Sequence, residues 1–285
     1  MLALSLPSRY LTGARDDATA DLWTALLGPP REGLPALAAL GVGAVEVADV
    51  RDDIDAGVAR DALAAVQAAG MRPHAHLWLP ARFAPDRAPA TLEATVRALG
   101  PANERRPLGP AACALHGHRR SEPDAFATTV RDLCTLEPWL RSNGVSAALE
   151  VCRDRPEGPV GGTYGEVTAV VRAAEDELGT TLGVTWDLGH TTWNHQQGHD
   201  ALWPDEAFLA RVTHVHVHDV GGTGRTHFPL DEGHAPLPGF VERLRGVGYA
   251  GLWNLELYPE RWPGAATERR RRLDLSITVL TEAVS

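Results

Sequence analysis

Val212-Thr213-His214-Val215-His216-Val217-His218-Asp219 alternates valine with histidine, and this alternation decides how the chain is read. Side chains of a β-strand point to opposite faces with period two, so Val215 and Val217 share one face while His214, His216 and His218 share the other. Three stacked imidazoles are poor core filler, because every ring nitrogen needs a partner. They suit a strand whose histidine face turns toward a polar, metal-containing centre.

Working outward, short apolar strands recur at Leu2–Leu6, Ala44–Ala48, Pro73–Trp78, Ala111–His116, Ala147–Val151, Leu182–Asp187, Val212–His218 and Gly251–Glu256. Helical-period stretches separate them, at Leu34–Leu40, Ala56–Ala69, Leu92–Leu99, Asp124–Arg141, Tyr164–Leu178, Asp205–Arg211, Pro238–Arg245 and Thr267–Glu282. Glycine follows many of them, as a helix C-terminus prefers. Eight β–α units in order predict α/β architecture: a closed (β/α)8 TIM barrel, one domain over residues 1–285. An open doubly wound sheet would carry a Gly-rich turn after its first strand, and Ser5-Leu6-Pro7-Ser8-Arg9 is not one.

The formal charge of −10 has the wrong sign for a chain that tracks a phosphate backbone, so no nucleic-acid partner is expected. No apolar run reaches membrane-spanning length, and the first residues lack the basic start and long apolar stretch of a signal peptide. Three cysteines without CxxC spacing point to reduced thiols in the cytoplasm. All 27 basic residues are arginine, which excludes Schiff-base chemistry through lysine. The Arg269–Arg272 run reads as a solvated helix face.

In a closed barrel alternate residues point inward, and chemistry sits at the C-terminal ends of the strands. The last inward residues are Ser5, Glu46, His76, His116, Glu150, Asp187, His216 and Glu256. Barrel interiors favour branched aliphatics, so this ionisable ring asks for a function. Four of the eight are carboxylates, whose mutual repulsion rises steeply where water is sparse. With imidazoles beside them, a divalent cation is the expected compensation; Mn²⁺, Mg²⁺, Co²⁺, Fe²⁺ and Zn²⁺ all suit these ligand types, which alone do not choose among them, and Mn²⁺ is taken as the leading expectation.

The strand-end motifs resemble the xylose-isomerase-like barrel superfamily, which includes sugar (phosphate) isomerases and epimerases and the type IV apurinic endonucleases. The resemblance rests on Ala-Leu-Glu150-Val, Trp-Asp187-Leu-Gly-His190, His214-Val-His216-Val-His218-Asp219 and Asn-Leu-Glu256-Leu. Weaker matches are Val45-Glu46-Val47, His76, Leu115-His116-Gly117 and Pro229-Leu-Asp-Glu-Gly233. It implies that Glu150, Asp187, His216 and Glu256 ligate one metal, that Glu150 and Glu256 double as an acid–base pair, and that His190 binds a substrate oxygen. Two departures stand out. Glu157 falls one residue from the substrate-binding Glu of ketohexose epimerases, and Gly222 occupies their Arg position while Arg225 lies farther on. In the endonuclease branch, His76, His116 and His227 match additional metal ligands, but Arg225 stands where that branch has an Asp.

The leading expectation is proton abstraction α to a carbonyl of a sugar, sugar phosphate or polyol ketone, through an enediolate stabilised by the metal. The outcome is epimerisation or isomerisation. A dehydratase on the same scaffold, a multinuclear metallohydrolase and a non-catalytic binding protein are the alternatives. Trp78 and Trp193 are candidates to stack on the substrate, and His218 and Asp219 to line the mouth. The Gly221-Gly-Thr-Gly224-Arg225 turn is a candidate anion cradle. Glu46 is a further candidate for metal or substrate. His214, one layer deeper, reads as a hydrogen-bonded core residue. The connections Pro7–Glu32 and His190–Pro204 are expected to cover the mouth. A homo-oligomer is compatible with this reading.

Overall fold

The computed structural model describes residues 1–285 apart from 15–16, 51–55, 79–92, 94, 98, 100–110 and 232; the side chains of residues 49, 50, 78 and 111 are also outside the description. Its strands in chain order are β1 (Leu2–Leu6), β2 (Val42–Val50), β3 (Arg72–Trp78), β4 (Ala111–His116), β5 (Val145–Glu150), β6 (Gly183–Asp187), β7 (Val212–Val217), β8 (Asp219–Val220), β9 (Thr226–Phe228) and β10 (Trp253–Leu255). All eight expected strands, observed as β1–β7 and β10, close into a barrel in the order β1-β10-β7-β6-β5-β4-β3-β2. Every barrel pairing is parallel. The strand β8 pairs antiparallel with β9 in a small hairpin at the exit of β7.

The outward faces carry the apolar half of each strand. Val45, Val47, Leu115, Leu149, Val184, Trp186, Val215, Val217 and Leu255 are all buried against the helical layer. Removing such side chains from water is the main driving force for closure, at roughly 25 cal/mol per Å² of apolar surface. Trp186 packs edge-on against Phe240, and its indole N–H reaches the hydroxyls of Tyr164 and Thr191 at 3.2 and 3.1 Å.

Helices form where the 3.6-residue pattern predicts them, including Ala125–Ser142, Tyr164–Leu178, Leu237–Gly246 and Ala266–Val284. Tyr164–Leu178 begins with Thr163, whose hydroxyl accepts the Glu166 N–H, and ends at Gly179 with φ 64°. The helix expected over Leu92–Leu99 lies partly among residues outside the description.

Both long connections contain helices. Pro7–Glu32 holds Ser8–Leu11 and Ala18–Leu27, and places Tyr10 and Trp23 in the main apolar core. His190 belongs to a helix, Leu188–Gln196, that starts directly from β6. Nor is the Arg269–Arg272 run wholly solvated: Arg272 is 7% exposed and clamps Asp231 with bonds of 2.7–3.2 Å.

Candidate metal centre

Glu150 ends β5, Asp187 ends β6, His216 lies near the end of β7, and Glu256 follows β10 directly. Closure gathers all four: each offers one ligand atom, and these atoms lie within 4.8 Å of one another. His216 Nδ1 is 3.3 Å from Glu256 Oε2, 3.5 Å from Glu150 Oε2 and 3.8 Å from Asp187 Oδ2. Ligand atoms about 2.1 Å from one tetrahedral ion would stand about 3.4 Å apart. The four residues are 0–1% exposed.

The donor set fits a cation. Both Glu150 oxygens, Glu256 Oε2 and His216 Nδ1 are buried without a hydrogen bond among the described residues, an arrangement that is costly unless something binds them. Burial alone would raise the Glu150 and Glu256 pKa values, but surrounding imidazoles, His116, His216 and His76 for the former and His216 and His227 for the latter, hold both carboxyls well below 4.5. Burial disfavours a charged His216, yet Glu46, Glu256 and Glu150 outweigh it and push this imidazole well above 6.5. The pocket demands positive charge.

Glu46 lies beneath this cluster rather than within it. Its register partners are Ser5 and His74, one tier below His76. Ser5 and Asn254 donate to Oε1 at 2.9 and 2.7 Å. His214 Nε2, His74 Nδ1 and His216 Nε2 approach Oε2 at 3.0, 3.3 and 3.3 Å. Burial makes His74 and His214 hard to protonate, the latter falling to about 3, so both are neutral donors toward the carboxylate. A His216 whose Nε2–H points down at Glu46 presents Nδ1 upward to the other carboxylates, which is how a metal-ligating imidazole is usually oriented.

Two histidine groups flank the centre. His76 Nε2 is 3.1 Å from Glu150, as is His116 Nε2, while His76 Nδ1 is 3.6 Å from Glu256. Burial would lower the pKa of His76, but Glu150 and Glu256 raise it to about 10. On the other side, His190, His218 and His227 bring one nitrogen each within 4.8 Å of the others. Asp187 caps the helix of His190 by accepting its backbone N–H at 2.7 Å. His190 Nδ1 lies 3.2 Å from the Val151 carbonyl, and its buried Nε2 has no hydrogen bond among the described residues. His227 holds φ 66°, an uncommon conformation that its neighbours lock. Trp262 donates to its carbonyl at 2.9 Å, and Tyr258 stacks on its ring at 4.0 Å.

A cavity of about 400 Å³ opens onto the centre, and His116, His190, His227 and Glu256 line its inner end. The structure places several expected substrate contacts elsewhere. His218 is fully buried behind Asp187, 3.0 Å from its carboxylate. Asp219 accepts the backbone N–H groups of Val220, His234 and Ala235 at 2.7–3.1 Å, organising a loop. Trp193 is 9% exposed, with its indole N–H on the Gly224 carbonyl at 3.1 Å. Arg225 is exposed at the hairpin turn, where the N–H groups of Gly221 and Gly224 are already used within the turn. The Trp78 side chain lies outside the described residues.

Other residues of the site escape the strand-end pattern. Asn254 shares inward parity with Glu256 one tier lower. Tyr258, two residues past Glu256, donates its hydroxyl to Glu256 Oε1 at 2.9 Å. Period two continued one step past each strand end would have found Tyr258; nothing periodic marks the cavity residue Arg153.

A family model described as xylose isomerase-like TIM barrel matches residues 34–278. The chain belongs to that family. Among solved structures, this xylose isomerase-like barrel is similar to D-allulose 3-epimerase from Methylomonas sp., with 17% identity, 99% and 98% of the two chains covered and a TM-score of 0.60. It is also similar to D-psicose 3-epimerase from Clostridium cellulolyticum H10, with 13% identity, 99% of both chains covered and a TM-score of 0.62. For 3-keto-D-glucoside 4-epimerase from E. coli the values are 16% identity, 87% and 94% coverage and a TM-score of 0.54. At these identities the likeness is one of fold. An uncharacterized protein of Methanocaldococcus jannaschii is 27% identical over 90 residues, and the match spans 31% of this chain and 30% of that relative's length.

Proposed function

We propose that this chain is a divalent-metal-dependent isomerase or epimerase, one barrel domain acting on a carbohydrate-like ketone by proton transfer α to the carbonyl. The observation that carries this reading is the meeting of Glu150, Asp187, His216 and Glu256 within 4.8 Å, with Glu256 lining the cavity. Those four residues would hold the cation, which when bound supplies charge compensation and polarises a carbonyl oxygen. Manganese is the favoured ion, because hard carboxylates outnumber the single imidazole.

Glu256 lines the cavity and is the base that takes the substrate proton. Tyr258 fixes its Oε1 by hydrogen bond, leaving Oε2 toward His216 and His227. Glu150 stands three strands away around the ring and returns a proton to the opposite face or the neighbouring carbon. His190 Nε2 faces a substrate hydroxyl. Surrounding imidazoles favour the ionised form that lets Glu256 accept; Glu150 donates only after taking a proton from solvent, the source of the deuterium read in D₂O. The named epimerase neighbours, the acidic lysine-free composition and the three unpaired cysteines support a small-molecule enzyme of the cytoplasm.

Metal-loaded protein incubated with ketoses in D₂O should incorporate deuterium at the carbon next to the carbonyl. Glu256→Gln should keep its metal and lose the exchange; full activity in that variant refutes the base assignment. A second reading, a multinuclear hydrolase, is favoured by His76–His116–Glu150 and His190–His218–His227, each compact enough for a further ion. Metal analysis separates the two: about one ion per chain supports the isomerase, and two or three support the hydrolase.

A further inference from the structure

Four arginines, Arg119, Arg153, Arg155 and Arg261, line the cavity that opens onto the metal centre. Apart from Glu256 at the inner end, the only lining carboxylate among the described residues is Glu157. This convergence runs against the overall charge of −10. None of the four arginines forms an ion pair among the described residues. The adjacent Arg120 shows the contrast, neutralised by Asp154 at 2.7 Å and Glu166 at 2.5 Å.

The four are held in place by other means. Arg155 lies over the Trp193 ring at 5.1 Å from its centroid, and Arg261 over Tyr258 at 4.4 Å. Arg119 bridges its backbone to Pro159. Arg153 is the most telling: half-buried, with no side-chain hydrogen bond or ion pair among the described residues. Burial, then the nearby charges of Arg155 and Arg261, depress its pKa. A guanidinium withdrawn from water beside two like charges is costly, and an oxyanion that accepts from its fork offsets that cost.

From this cavity we propose that the substrate carries an anionic oxygen group, a phosphate monoester or a carboxylate, which Arg153, Arg155 and Arg261 bind while the carbonyl end reaches Glu256 and His190. The assignment deepens the isomerase reading and rests on it for the carbonyl end alone. Trp193, expected to stack on substrate, instead supports Arg155 at the anion end. The neutral ketohexoses named with the structural neighbours lack any such group.

The test is calorimetric binding to the metal-loaded full chain, using D-fructose, D-fructose 6-phosphate and D-fructuronate as probes with wild type, Arg153→Gln and Arg155→Gln. Charge-assisted hydrogen bonds predict that an anionic probe binds wild type about 10- to 100-fold more tightly than fructose. That preference should shrink by at least about tenfold in Arg153→Gln and by less in Arg155→Gln, with fructose binding unchanged. A tighter phosphate identifies a phosphorylated substrate; a tighter uronate identifies a sugar acid. The proposal is overturned if neither anion binds at millimolar concentration, if fructose binds equally well, or if the preference survives both substitutions. Binding does not require turnover, so absence of deuterium exchange would sink the isomerase reading without touching this result. Exchange into neutral ketoses that is indifferent to Arg153 would do the reverse.

Discussion

Replacing Glu46 by Gln tests whether the buried layer beneath the candidate metal centre sets the state of His216. The substitution keeps the shape of a fully buried side chain and removes its charge. One Glu46 oxygen serves Ser5 and Asn254, the other His74 and His214, and His216 Nε2 lies 3.2 and 3.3 Å from the two. An amide can satisfy one side only, because its NH₂ donates. His74 and His214 are neutral and can switch tautomer to accept from it. His216 then faces a neutral acceptor or a donor, and a tautomer with hydrogen on Nδ1 becomes accessible, competing with any cation for that atom. A charged hydrogen bond is worth about 1.5–3 kcal/mol against about 0.5–1.5 for a neutral one. The difference, roughly 1–1.5 kcal/mol, corresponds to about a tenfold loss of metal affinity, and orienting partners of metal ligands reach about 100-fold. Manganese affinity measured by competition with a fluorescent chelator, alongside thermal melts, is the assay. Unchanged affinity in a folded Glu46→Gln protein refutes the orienting role, and a lowered melting temperature with unchanged affinity reduces Glu46 to a packing residue.

Chelation should destabilise the protein, since three carboxylates then share one buried site. Restoring ion at about 100 times its Kd should recover about 2.7 kcal/mol, read as a rise in melting temperature, and a melt indifferent to chelator argues against a resident metal. Gly189→Ala places a Cβ 1.9 Å from the His218 ring, so His218 or the helix carrying His190 must shift. Overpacking of this kind costs about 1–3 kcal/mol, and a thermal melt matching wild type would contradict the close approach. His118, 3% exposed, is held above 6.5 by its hydrogen bond to Asp132 at 2.9 Å and, after the opposing effect of burial, by Glu122 at 3.1 Å. A raised folded value means that this contribution is fully present below 6.5 and fades as pH climbs through the folded value. The melting-temperature gap between wild type and His118→Gln should therefore be widest in mild acid and narrow toward alkaline pH; a gap that widens with pH overturns the assignment.

Much of the centre was legible because strand parity is a local property. Valines alternating with His214, His216 and His218, or Leu149 and Val151 flanking Glu150, state which face each residue takes whatever the neighbouring strands do. Parity and the strand-end motifs together nominated the four candidate ligands. Height along the barrel is a different matter. Glu46 has the same parity as Glu150, yet registers with Ser5 and His74 and ends beneath the candidate cation site. His218 has the parity of His216 but leaves the barrel into a hairpin and turns behind Asp187.

The loops were the least legible part. Arg153 follows Glu150 by three residues in a segment without periodicity, and Arg261 sits in a short 3-10 turn; only closure of the barrel puts them on one cavity. Arg225 lies in a glycine-rich turn that looks like an anion cradle, but its amides are spent on the turn itself. By itself the amino-acid sequence settled the eight-unit barrel, the inward face of each strand and the acidic, imidazole-rich character of its mouth, because those follow from side-chain alternation and composition. Which carboxylate sits in which tier, which histidines face the cavity and which arginines meet there was decided by tertiary structure, since cross-strand register and loop return are products of closure that no local period encodes.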